Sequence, residues 1–149
     1  MEYLIRKVER NELDTLVNLC RNHADYEQAS YETRGKKELL EQTIFSDVPK
    51  VHCYVIEIGG QLKGYFSYTF DFSTWLGQTF LYLDCLYLEP EVRGLRIGES
   101  VFEKLKEIAR QNNCSCIEWQ TPVFNERAIK FYRRMGGVYK HKARFCLGV

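Results

Sequence analysis

The sequence predicts one α/β sandwich. Runs that alternate apolar and polar residues are interleaved with runs at helical spacing. No linker, repeat or low-complexity tract separates them, and 149 residues is the length of one domain. A chain of that size buries about two thirds of its unfolded surface, enough for a core without disulfides. With 45% hydrophobic and 28% charged residues, the composition excludes wholesale disorder and fibrous repeats.

Tyr3 to Val8 reads as a first strand. Asn11 offers an N-cap to a helix on which Leu13, Leu16, Val17, Cys20 and Ala24 form one stripe. A second helix spans Thr33 to Phe45 and ends before Pro49, because residues ahead of a proline avoid helical geometry. His52 to Ile58 is β-branched and aromatic, and Gly59-Gly60 signals a hairpin turn. Phe66, Tyr68, Phe70 and Phe72 then alternate with Ser67, Thr69 and Asp71, so one face is buried. Phe80 to Leu88 is apolar nearly throughout, the mark of a central strand covered on both faces. Ile97, Val101, Leu105 and Ile108 mark a helix, Ser115 to Thr121 a strand, Glu126 to Met135 a helix, and Val138 to Leu147 a last strand. The order is β-α-α-β-β-β-α-β-α-β.

The 21 Lys+Arg against 20 Asp+Glu leave a net charge of +1, which argues against a partner held by its phosphate backbone. No run approaches the ~20 apolar residues of a bilayer span. The start, MEYLIRKVERNEL, lacks the apolar core of a signal peptide, so a cytoplasmic protein is expected. Cys20, Cys53, Cys85, Cys114, Cys116 and Cys146 read as reduced structural thiols. Cys114-x-Cys116 is too tight for a zinc knuckle, and His23, His52 and His141 lack ligand spacing. From Asn125 on, seven Lys and Arg oppose Glu126 alone, a solvated basic face.

The chemistry lies in Leu83 to Ser100, LDCLYLEPEVRGLRIGES. A buried strand ends at Pro90, a loop carries Arg93, Gly94, Arg96 and Gly98, and a helix begins at once. Such a junction leaves amides pointing outward at the positive end of the helix dipole, where a pyrophosphate is held. A tight glycine turn without a ligand has the same composition.

Arg93-Gly94-Leu95-Arg96-Ile97-Gly98 resembles the R/Q-x-x-G-x-G/A loop of the GNAT N-acetyltransferase superfamily. Asn125 to Gly136, with Ala128, Phe131 and Tyr132 in place, resembles its second signature, N-x-x-A-x-x-F-Y-x-x-x-G. The resemblance covers the whole chain. It implies a single N-acetyltransferase domain over 1–149, a GNAT-like sandwich whose mixed, mostly antiparallel sheet is flanked by helices. Acetyl-coenzyme A is the implied cosubstrate, with no metal. The residues it assigns to the cofactor are Leu86 and Leu88 (backbone), Arg93, Gly94, Leu95, Arg96, Ile97, Gly98, Glu99, Asn125 and Ala128. Arg96 stands where the family has glycine. On this reading Gly98→Asp blocks the phosphate and leaves the fold intact.

A closer likeness is to the diamine and polyamine acetyltransferases, those acting on spermidine, spermine and thialysine. Trp75-Leu76-Gly77, Leu81-Tyr82-Leu83-Asp84 and the Tyr26-Glu27 pair carry it. Asp84 replaces a glutamate, Cys85 a second acid, and Ser73 and Thr74 stand where an acid is expected, which favours a diamine or diamino acid over a long polycation. The resemblance makes Tyr132 the general acid and Asp84 the base, acting directly or through water, with Tyr26, Glu27 and Trp75 against the substrate. Cys85 reads as a lining thiol, so direct attack in a ternary complex is expected. The expected partner is a small-molecule amine, with neither nucleic acid nor membrane, and the resemblance allows a homodimer. The alternatives are acetylation of a protein or peptide, or a degenerate coenzyme A-binding module without turnover.

Overall fold

The computed structural model describes all residues, 1–149. Four antiparallel strands follow one another across the sheet: β1 (Leu4–Lys7), β2 (His52–Ile58), β3 (Gln61–Ser73) and β4 (Gln78–Leu88). A short β5 (Ile117–Glu118) joins β4 in parallel. The helices are α1 (Leu13–Tyr26), α2 (Lys36–Ile44), α3 (Ile97–Gln111) and α4 (Glu126–Arg134). The β2–β3 hairpin closes at Gly59-Gly60 with φ of 57° and 77°, the two positive angles that a two-residue hairpin turn requires.

Alternation along the strands builds two cores. Cys53, Val55, Tyr65 and Tyr87 face Leu13, Leu16 and Leu19 of α1. Ile56, Phe66, Tyr68, Leu81 and Leu83 face Val101, Phe102, Leu105 and Ile108 of α3. The second core also takes in Phe131, Tyr132 and Met135, so α4 rides on α3. Burying a large apolar side chain in such a core contributes about 1.5–3 kcal/mol.

Expectation and structure differ at the ends of elements. Asn11 does not cap α1; Glu9 and Glu12 form a reciprocal capping box on a 3₁₀ turn ahead of it. The second helix starts three residues late, after Gly35 in left-handed geometry. The strand expected over Ser115–Thr121 shrinks to two residues, and no strand forms over Val138–Leu147, where Val138, Phe145 and Leu147 are exposed. A strand needs paired backbone groups and a covered face, and a two-residue β5 supplies little of the first.

Candidate active site

In β4 the ladder slips once. Ser67 pairs with Cys85 and Tyr68 with Leu83, which leaves Asp84 opposite nothing. This β-bulge reverses the strand's alternation: Leu81 and Leu83 face α3, yet beyond it Cys85 and Tyr87 face α1 while Leu86 and Leu88 face α3. An apolar run can thus fill both cores and still turn one carboxylate out. Asp84 is exposed, accepting from the Ser67 hydroxyl at 3.4 Å with the Cys85 thiol 3.7 Å away. Asp84 lies within the apolar run of β4, as expected, and the bulge turns its carboxylate out to solvent. Burial, and then the Asp84 charge, push the Cys85 thiol up to about 12, which keeps it protonated at neutral pH.

Pairing between β4 and β5 stops at Tyr82–Glu118, so the next residues of β4 have no strand on that side. Leu86 and Leu88 lie along this opening, though the Leu88 carbonyl already accepts from Arg93 Nε at 2.8 Å. Past the strand, no acceptor in the chain meets the amides of residues 94–99. They lead into the N-terminus of α3, a donor set suited to a pyrophosphate. Arg96 sits there with φ 65°, ψ 12°, the left-handed geometry that explains a glycine at this position in related loops. Its side chain turns outward to Glu99 Oε2 at 2.6 Å, and Arg134 also approaches Glu99, at 3.8 Å.

Arg96→Gly relieves about 1–2 kcal/mol of left-handed strain but gives the unfolded chain comparable freedom and removes an exposed ion pair. Its melting temperature should match the native one, whereas Arg96→Val, β-branched, should melt lower. Equal melting of the two variants would refute the left-handed loop.

Two cofactor assignments change character. Ile97 is a core residue at 1% exposure. A Cβ on Gly98 would stand 2.8 Å from Phe131 Cζ, so this glycine lets α3 and α4 approach, and Gly98→Asp should cost stability as well as block the phosphate.

Asn125 caps α4, its Oδ1 accepting from the Ala128 amide at 3.4 Å and from the Tyr26 hydroxyl at 3.1 Å. The second bond ties the end of α1 to the start of α4. Tyr132 packs edge-on against Phe102 and Trp119, at 5.9 and 5.3 Å between ring centres. Burial, and then the nearby Glu27 charge, push its hydroxyl up to about 12, so it keeps its proton at working pH.

Three of the expected residues come together: Glu27 and Tyr26 lie near enough to act on the Tyr132 hydroxyl. Asp84, from β4, acts on His23, one helical turn before Glu27. Burial raises the Glu27 carboxyl above its ordinary value. Arg93, expected at the phosphate, instead places its guanidinium over the rings of Tyr26 (4.3 Å) and Tyr87 (5.4 Å). Trp75 does not join the group; it is 95% exposed at the tip of the β3–β4 hairpin. His23, which sequence reasoning passed over, does belong. Its ring is 5.4 Å from Tyr87 and near-parallel to it, and Nδ1 is 3.0 Å from the Tyr65 hydroxyl. Its position four residues before Glu27 on one helix was the available signal.

The model of the acetyltransferase (GNAT) family matches residues 14–137. The chain is 32% identical over 141 residues to a thialysine N-epsilon-acetyltransferase of Bos taurus, covering 89% of this chain and 82% of that one. It is 29% identical over 101 residues to spermidine/spermine N(1)-acetyltransferase-like protein 1 of Homo sapiens, covering 63% of this chain and 14% of that one. A possible acetyltransferase from Clostridium difficile 630 superimposes with a TM-score of 0.82 at 18% identity, over 100% and 99% of the two chains, which bears on the fold alone. The chain belongs to the GNAT acetyltransferase family and is an N-acetyltransferase.

Proposed function

We propose that the chain moves the acetyl group of acetyl-coenzyme A to a primary amine of a small diamine or diamino acid. The observation that carries this is the Tyr132 hydroxyl, which keeps its proton beside Glu27 and Tyr26, in a fold that leaves the amides of residues 94–99 ahead of α3 free. Acetyl-coenzyme A supplies the activated thioester; the family uses it as cosubstrate, and the amides of residues 94–99 are the donors for its phosphates. Asp84 accepts the proton that the attacking ammonium must lose, directly or through water. The amine nitrogen bonds to the acyl carbon, the carbon–sulfur bond breaks, the Tyr132 hydroxyl delivers a proton to the departing sulfur, and the second proton that the nitrogen sheds as it becomes the amide restores the phenol. Glu27 faces a second ammonium. Asp84 and Glu27 are two acids, and each facing carboxylate contributes about 0.5–1 kcal/mol when exposed, so added ammonium groups gain little. The likeness to a thialysine acetyltransferase points the same way.

A panel of amines with acetyl-coenzyme A, read by released thiol, tests this. Thialysine and 1,3-diaminopropane should show higher kcat/KM than spermidine or spermine. Spermine ranking first would overturn the substrate class. In the same samples, acetyl-coenzyme A at ~100 times its Kd should stabilise the fold by about 2.7 kcal/mol, and an unmoved melt would overturn the cosubstrate.

A further inference from the structure

We propose that His23 is a positioning residue: a neutral imidazole, held between Tyr65 and Tyr87, that orients the Glu27 carboxylate toward the acceptor amine without cancelling its charge. The inference rests on the reading of Glu27 as the anchor for a substrate ammonium.

The geometry is specific. His23 Nε2 lies 3.3 Å from Glu27 Oε2, one helical turn away, and the His23 side chain is only 12% exposed. Its other nitrogen meets the Tyr65 hydroxyl, and its flat face lies against Tyr87. A carboxylate only accepts, so the tautomer that suits both neighbours carries the proton on Nε2 and lets Nδ1 accept from Tyr65; at 3.3 Å the Nε2–Glu27 contact is an ion-pair distance and not one of the chain's hydrogen bonds. The distance alone would fit an ion pair, but the imidazole is uncharged at neutral pH. Burial, aided by Arg93, pushes it down to about 4 against the opposing pull of Asp84. The charged and titratable groups around this pair are Tyr26 from α1, Tyr65 from β3, Asp84, Cys85 and Tyr87 from β4, Arg93 beyond it, and Tyr132 from α4. Lys36 and Tyr31 are more remote, acting on Cys20, one turn before His23. Arg93 is committed to Leu88 and two aromatic rings, so no cation neutralises Glu27 in the free protein. A lysine at position 23 would do so and would also repel a substrate ammonium. An aliphatic residue would leave the half-buried carboxylate without its polar neighbour.

The test measures kcat, both KM values and the pH profile for His23→Leu, His23→Gln, His23→Lys and Glu27→Gln, with thialysine and 1,3-diaminopropane as acceptors. His23→Leu should raise the amine KM about tenfold. Its kcat and its KM for acetyl-coenzyme A should stay near native, and the acid limb of kcat/KM should move to higher pH as Glu27 loses its polar neighbour. The amide of His23→Gln should restore most of the affinity, and His23→Lys should raise the amine KM further. A purely structural histidine would instead change kcat, both KM values and melting together. If Glu27→Gln raises the amine KM while His23→Leu and His23→Lys leave it native, the positioning role is overturned. If Glu27→Gln also leaves it native, the reading of Glu27 itself falls. Should His23→Leu fail to fold, the contrast between His23→Gln and His23→Lys decides alone.

Discussion

Tyr132→Phe should turn over roughly 10²-fold more slowly or worse, while folding and binding acetyl-coenzyme A as the native chain does. The ring stays in its place among Phe102, Trp119 and Phe131, so packing is unchanged and only the hydroxyl is lost. That hydroxyl stands in a half-buried site where burial and Glu27 hold the proton on. It donates without competing ionisation across the working range, and a leaving thiolate without a donor must depart as an anion. The check is steady-state kinetics beside a melt with and without acetyl-coenzyme A. Native turnover with a native melt would return Tyr132 to packing alone.

The second large effect falls on Gly98. Gly98→Asp should lose stability and turnover together, at a cost of roughly 3 kcal/mol or more from overpacking and a buried charge. At about 2–4 °C per kcal/mol for a chain of this size, the melt drops by several degrees or more. The new Cβ meets the Phe131 ring at 2.8 Å, and Tyr132 is the next residue on the same helix, so moving α4 also moves its hydroxyl. Gly98→Ala, with a Cβ and no charge, should show the smaller packing part. If Gly98→Asp melts like the native chain and loses only the stabilisation by acetyl-coenzyme A, the contact with Phe131 carries no weight and the glycine serves the phosphate alone.

The sequence by itself determined the element order as far as α4, the double-sided burial of β4 and the family. Each rests on residues near in the chain: an alternating Phe66-to-Phe72 run, an apolar Phe80-to-Leu88 run, and two signatures of fixed spacing. The left-handed Arg96 was legible only as a departure from glycine; its φ of 65° supplies the conformational reason. What the tertiary structure alone decided depends on residues distant in sequence. The bulge at Asp84 exists because β3 and β4 are out of step by one residue, and neither strand encodes that by itself. Gly98 is needed by a ring 33 positions later, and Tyr26 meets Asn125 across 99. His23 acquires a neutral, oriented imidazole only when Tyr65 and Tyr87 close around it and water is excluded. The expected strand from Val138 failed for the converse reason: a pattern that alternates becomes a strand only where a neighbour offers unpaired backbone, and β5 ends after two residues. Local pattern sets which elements can form, whereas desolvation, register and close approach are properties of the assembled fold, and they are what tune the groups at the site.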